Sequence, residues 1–157
     1  MDVSVLVNNV GITKFAPFHK VAWEEHMKQI NVNINAQTYM SLFLVPKMLE
    51  RESRSAVVNV SSVIHFTPMG NLVMYSATKS YNYIFSQNLA LSYPKKIDVL
   101  TVTPAGTKSQ MYSGRYSFSI TAEAHGKSVI DQLGWVTETR GNYVHAIAPY
   151  LKALPPV

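Results

Sequence analysis

Tyr75-Ser-Ala-Thr-Lys79 pairs a phenol with an ammonium at a spacing of four. On a helix that spacing puts both side chains on one face, one turn apart. A phenol ionises near pH ~10, but a neighbouring ammonium favours the phenolate, so such a tyrosine can exchange a proton with a substrate oxygen near neutral pH. Alone, the pair says little: nine tyrosines and ten lysines in 157 residues give about 0.6 such spacings by chance, and a surface tyrosine beside a solvated lysine is the ordinary reading. Requiring a serine 13 residues before the tyrosine, which Ser62 supplies, lowers the chance figure to about 0.05.

These side chains need a scaffold, and the surrounding pattern predicts one. Val3 to Val7 is a short, nearly continuous apolar run, the pattern of a parallel strand covered on both faces, and it ends at Asn8-Asn9-Val10-Gly11. Trp23 to Arg51 reads mostly as helix, with a bend expected at Pro46. Ala56 to Val60 is a second strand, and a loop with Pro68 and Gly70 leads to a helix from Val73 to Tyr93, stopped by Pro94. Ile97 to Thr103 is a third strand, closed by Pro104-Ala105-Gly106. Thr107 to Ser119 reads as a mobile loop, Thr121 to Leu133 as helix and Tyr143 to Ile147 as a last short strand. The alternation predicts an α/β fold with a parallel sheet, in a single domain without linkers or repeats. Ser61-Ser62 then lies at the C-terminal end of a strand and Tyr75 near the start of the next helix, which is where open α/β sheets hold ligands.

Composition narrows the chemistry. With no cysteine there is no disulfide framework, thiolate nucleophile or Cys-ligated zinc. The histidines at 19, 26, 125 and 145 show no metal-ligand spacing, so no metal is expected, and His65 reads as a solvated loop residue. A net charge of +5 suits an anionic ligand such as a dinucleotide or a coenzyme A ester. The basic residues are scattered, with Lys95-Lys96 their only adjacent pair, which argues against a nucleic-acid partner. No apolar stretch approaches the ~20 residues of a spanning helix, so the chain is expected to carry no anchor. Met111, Tyr112, Tyr116 and Phe118 could line an apolar pocket or form the packing face of a lid.

Taken together, Asn8-Asn9-Val10-Gly11, Asn33, Asn59-Val60-Ser61-Ser62 and Tyr75 to Lys79 resemble, in order, the marks of the short-chain dehydrogenase/reductase superfamily. Asn33 is the asparagine chosen from Ile30 to Asn35 because it lies 13 residues before Pro46. Leu44-Val-Pro-Lys-Met48, Lys127 to Gly134 and Thr139 to Ala146 are similar to the branch of 17-beta-hydroxysteroid dehydrogenases and very-long-chain 3-oxoacyl-CoA reductases. The resemblance implies a hydride transfer between a nicotinamide cofactor, NADP or else NAD, and a carbonyl or hydroxyl of a hydrophobic substrate. Its catalytic residues would be Asn33, Ser62, Tyr75 and Lys79. Tyr75 would exchange the proton, Lys79 would lower its pKa and hold the nicotinamide ribose, Ser62 would hydrogen-bond the substrate carbonyl, and Asn33 would hold a water linking Lys79 to solvent. Asn8, Asn9, Gly11, Pro104, Gly106 and Ser109 would join Tyr75 and Lys79 around the cofactor, with Ser109 standing where the family has Thr and Ala105 inserted before Gly106. A homodimer, or pairing with a full-length relative, would follow from the helices at Asn33 to Arg51 and Val73 to Tyr93. An endoplasmic-reticulum location is implied for the branch, and a cytoplasmic one for this chain alone.

The sequence departs from the superfamily at its start. Its seven glycines, at 11, 70, 106, 114, 126, 134 and 141, do not form the glycine-rich turn that holds a pyrophosphate. The expected fold is thus a partial Rossmann-like doubly wound sheet lacking its first three strands, residues 1–157 forming the catalytic C-terminal portion of one domain. The run at Val3 to Val7 would be an exposed apolar edge. The alternative expectation is an inactive truncated remnant that serves as an interaction or dimerisation module.

Overall fold

The computed structural model describes residues 2–109, 111 and 120–146. Four strands form one parallel sheet: β1 (Val5–Asn8), β2 (Ser55–Val60), β3 (Ile97–Val102) and β6 (Glu138–Thr139), paired in the order β1-β2-β3-β6. Between β1 and β2 run α1 (Trp23–Ile30), a π-helical turn at Asn31–Asn35 and α2 (Ala36–Leu49); α3 (Val73–Ser92) joins β2 to β3. β4 (Thr107–Lys108) and β5 (Ile120–Thr121) form a separate two-stranded parallel pair, and α4 (Ala122–Ile130) follows, capped by the Thr121 hydroxyl accepting from the Ala124 N–H at 3.2 Å. The α/β expectation and the parallel sheet are met.

Alternation along the strands assigns the two faces of the sheet. Leu6, Val57 and Val99 are register partners and pack with Leu44, Val45 and Met48 of α2 into one apolar cluster. Two residues further on, the same face turns polar. Asn8, Asn59 and Thr101 are again register partners, and the Asn8 amide donates to Asn59 Oδ1 at 2.8 Å and to Ser41 Oγ at 3.3 Å. The Asn59 amide and the Thr101 hydroxyl both donate to Ser86 Oγ of α3, at 3.0 and 2.8 Å, and Gln87 donates to Thr101 Oγ1 at 3.0 Å. On the opposite face Val58, Leu100 and Val102 meet Val129 of α4.

β1 lies at the edge of the sheet, with β2 its only partner among the described residues. Val5 and Val7 are 46% and 54% exposed, as the apolar-edge expectation requires. Pro46 sits inside α2, and the helical stretch also carries a π turn, where the Ala36 N–H reaches back five residues to Asn31 O. Two expectations need correction. The strand expected at Tyr143 to Ile147 is helical over residues 143–146, because Asn142 caps it: Asn142 Oδ1 accepts from the Val144 N–H at 3.0 Å. On the side away from β2, the strand partner of β3 is the short β6, reached earlier in the chain. In the expected loop, Thr107 and Lys108 are paired with β5; Tyr112, Tyr116, Phe118 and Ile147 lie outside the described residues, and Met111 is exposed.

Asn59→Leu keeps the volume but strips the amide that joins β1 to α3. We expect a loss of about 2–4 kcal/mol, since the Asn8 and Ser86 groups stay buried with fewer partners. Urea unfolding should show it as a lower midpoint at unchanged slope.

Candidate functional site

The second strand delivers Val60, Ser61 and Ser62 to the C-terminal edge of the sheet. There the chain cannot continue as strand, because Ser62 caps a short turn at Val63–His65, its Oγ accepting from the Ile64 N–H at 3.3 Å. Ser61 turns the other way: its hydroxyl donates to the Lys79 carbonyl at 2.7 Å, tying β2 to α3. α3 brings Tyr75, Thr78 and Lys79 onto this edge, with the Tyr75 phenol close enough to Ser62 for that hydroxyl to lower its pKa. The three residues singled out first in the sequence therefore meet at one place.

Lys79 is 3% exposed, and its ammonium donates to the Val60 carbonyl at 2.8 Å. The ammonium lies 5.8 Å from the centroid of the Tyr75 ring. Burial of the charged form lowers Lys79 to about 8. Burial also pushes the Tyr75 phenol above its ordinary value, and its hydrogen bond with Ser62 works in the opposite direction. Burial is the larger of the two effects, so Tyr75 is a protonated phenol at neutral pH.

Asn33, fully buried in the π turn, fastens the end of the first strand over the lysine. Its Oδ1 accepts from the Ile12 N–H at 2.8 Å and its amide donates to Ile12 O at 2.9 Å, so one carboxamide satisfies both backbone groups of a residue that has left the sheet. The amide also donates to Thr78 Oγ1 at 3.0 Å. Gly11 is thereby pressed against the lysine: a Cβ there would come 3.3 Å from Lys79 Nζ and 3.6 Å from Asn33 Oδ1. The absence of a side chain at 11 keeps the ammonium's surroundings open. An ammonium has three N–H donors and Val60 takes one, which suits a ligand that offers hydroxyl oxygens.

Pro104 belongs to the same edge, its carbonyl accepting from the Val63 N–H at 3.0 Å and from Ser62 Oγ at 3.5 Å. The Gly106 carbonyl meets a ring nitrogen of His145 at 3.2 Å. Asn8 is committed to the sheet row, whereas Asn9 and Ser109 are exposed and stand outside the hydrogen-bonded centre. His65 is ordered, stacked on Tyr83 at 4.0 Å with Nδ1 donating to Ser62 O at 2.6 Å. Among the described residues no group of three acidic, histidine or cysteine side chains is placed to hold a metal, and no helix is long and apolar enough to cross a membrane.

Sequence reasoning missed Thr78, Asn82, Ser61 and the Val60 carbonyl. The first two had a signal: Thr78, Asn82 and Ser86 recur every four residues, a buried polar stripe on α3, and the Asn82 amide donates to the Asn33 carbonyl at 2.9 Å. A main-chain carbonyl leaves no signal of that kind.

The pKa of Lys79 has a measurable sign. Between pH 8 and the unfolded value near ~10.4 the unfolded chain binds the proton and the folded chain does not, so stability rises with pH over that window. Subtracting the stability of Lys79→Met from that of the native chain between pH 7 and 11 should reveal this rise. A flat difference would mean that Lys79 is solvated.

The family model for short chain dehydrogenase matches residues 1–118. Very-long-chain 3-oxoacyl-CoA reductase of Rattus norvegicus is 32% identical over 99% of this chain and 52% of its own length. Hydroxysteroid dehydrogenase-like protein 1 of Gallus gallus is 34% identical over 93% of this chain and 46% of its own. The chain thus spans about half the length of the curated relatives it matches. In fold it superposes on 3-ketoacyl-(acyl-carrier-protein) reductase of Brucella melitensis, solved with NADH, with a TM-score of 0.80 at 22% identity over 91% of this chain and 68% of that one. With a Ser-Tyr-Lys centre on the C-terminal edge of a parallel sheet and a family match over three quarters of its length, the chain belongs to the short-chain dehydrogenase family.

Proposed function

We propose that this chain carries the catalytic centre of a nicotinamide-dependent oxidoreductase that reduces the carbonyl of a hydrophobic substrate, of the 3-oxoacyl-CoA or ketosteroid kind. The observation that carries the reading is the contact of Ser62 with Tyr75, backed by the buried ammonium of Lys79. The names of the curated relatives support the substrate class, and the positive net charge suits a coenzyme A ester and a dinucleotide.

A nicotinamide cofactor bound here would supply the hydride. NADP is our first choice and NAD the second. Lys79 and Tyr75 would hold its ribose, Gly11 would give it clearance, and Pro104, Gly106 and Ser109 would border the nicotinamide, with Ser109 offering its hydroxyl. Asn8 and Asn9 support that border from the end of β1. In this reading Ser62 Oγ donates to the substrate oxygen and holds it next to Tyr75. The raised pKa of Tyr75 favours reduction, because a protonated phenol can give its proton to the oxygen as charge develops there. The Lys79 ammonium then stabilises the phenolate that remains, which requires the pH to stay below about 8. Asn33 holds Ile12 and Gly11 against Lys79. Its carbonyl takes one bond from Asn82, and a second lone pair could accept a water on the route from Lys79 to solvent.

The exposed face of the two long helices supports a homodimer, or pairing with a full-length relative. Tyr39, Leu42 and Phe43 of α2 and Tyr81 and Ile84 of α3 are exposed, and Tyr81, Ile84, Phe85 and Leu89 line an apolar groove. A second reading, a non-catalytic interaction module, is favoured by the exposed Val5 and Val7 on β1, whose outer edge has no strand partner among the described residues.

Titration with NADPH and NADH followed by fluorescence, then turnover of 3-oxoacyl-CoA and 17-ketosteroid substrates, separates the two. For the enzyme, Tyr75→Phe and Ser62→Ala should each lower kcat/KM by about 10²–10⁴-fold while the fold persists. Lys79→Ala should weaken cofactor binding as well. A folded chain that binds neither cofactor would favour the interaction module. Tyr81→Glu with Ile84→Glu should convert a dimer to monomer in sedimentation, and an unchanged mass would exclude this face.

A further inference from the structure

His145 is fully buried, yet it belongs to neither the sheet nor the Ser-Tyr-Lys centre. Both ring nitrogens meet the loop that follows β3. The Ala105 N–H donates to Nδ1 at 3.3 Å, so Nδ1 must be the unprotonated nitrogen, and Nε2 lies 3.2 Å from the Gly106 carbonyl, which can only accept. Both bonds are met by the neutral ring with its hydrogen on Nε2.

On its other side the loop is tied to the catalytic edge. The Pro104 carbonyl accepts from Ser62 Oγ and from the Val63 N–H. The Pro104 carbonyl and the Ala105 N–H belong to one peptide unit, so the Ser62 contact and the nearer His145 contact hold the same plane from its two ends. We propose that His145 is a positioning residue that clamps Pro104–Gly106 from behind and so sets the place of Ser62 against Tyr75.

The surroundings hold the ring in that role. The His125 ring packs beside it with centroids 5.3 Å apart, and neither nitrogen of His125 has a hydrogen-bond partner among the described residues. Gly141, at φ +79°, leaves the space that His125 fills; any side chain there would collide with that ring. Burial lowers the pKa of His145, against bonds to Gly106 and Arg140 that raise it, and lowers that of His125 to about 4, with His145 as a further cause. Protonation of His145 would also turn the Ala105 N–H against an N–H. The sequence could not show this, because 40 residues separate His145 from Ala105.

The inference rests on the catalytic reading above for its effect on turnover, but the clamp itself has a readout free of activity. In the ¹⁵N spectrum of the native protein the His145 ring should be the Nε2–H tautomer. The Ala105 amide should exchange slowly with solvent. In His145→Phe, which keeps the volume and loses both bonds, exchange at Ala105 should quicken by about tenfold or more. His145→Gln, which retains an acceptor and a donor, should restore part of that protection. If the protein turns over substrate, His145→Phe should lower kcat/KM about tenfold, and in a Ser62→Ala background much less, because the two act through one contact. An Nδ1–H tautomer, a fast-exchanging Ala105 amide in the native protein, or unchanged exchange in His145→Phe would overturn the clamp. Slow exchange and the expected tautomer without any turnover would leave the clamp standing and remove the catalytic reading instead. Where His145→Phe does not fold, the native tautomer and exchange decide the clamp.

Discussion

A buried polar group must find a partner, and in this protein that rule governs the arrangement of everything at the C-terminal edge of the sheet. On the face toward α2 and α3, one register row is apolar, Leu6, Val57 and Val99, and the next is polar, Asn8, Asn59 and Thr101. The polar row is covered rather than solvated: Asn59 and Thr101 have no exposed surface. Burying such groups without partners costs about 1–3 kcal/mol each, so α3 can dock only where Ser86 and Gln87 reach Asn59 and Thr101. Docking by that contact fixes the azimuth of the helix. Asn82, Thr78 and Lys79, each one or two turns back along the same stripe, are then turned inward. Among the described residues the layer is not saturated, since Gln37 Nε2 and Asn82 Oδ1 have no hydrogen-bond partner there.

The position of Lys79 follows from that azimuth. An ammonium in such a place loses solvation, and the Val60 carbonyl and the space beside Gly11 are what it has in return. The result is a cation held less firmly in its charged form than a surface lysine, beside a phenol held more firmly in its neutral form. Both shifts have the same cause, desolvation. The π turn serves the same end. By widening the helix where Asn33 sits, it sends one carboxamide to both backbone groups of Ile12, while its carbonyl takes the Asn82 amide.

Away from this layer the surface is strongly asymmetric. α4 covers Val58, Leu100 and Val102 but not Val5 and Val7, and the outer sides of α2 and α3 expose aromatic and aliphatic groups. The chain spans about half the length of its curated relatives, and among the described residues these apolar surfaces are left uncovered. The apolar composition of the first strand is explained by a neighbour on both faces, and within the described residues only one face has it.

How much of this was legible in the sequence depends on the range over which each interaction acts. The strands at 5–8, 55–60 and 97–102, the helices between them and the pairing of Tyr75 with Lys79 are set by local periodicity and by turn residues, so they could be read directly. Ser62 could be joined to them because it lies just past a strand end, where open α/β sheets hold their ligands, 13 residues before Tyr75. The helix at residues 143–146 was misread, since its composition favours a strand and a single Asn142 cap decides otherwise. The sequence by itself determined which side chains could do the chemistry. Only the tertiary structure decided their protonation states and their partners, because burial, a main-chain carbonyl such as that of Val60 and contacts over 40 or more residues are properties of the folded chain alone.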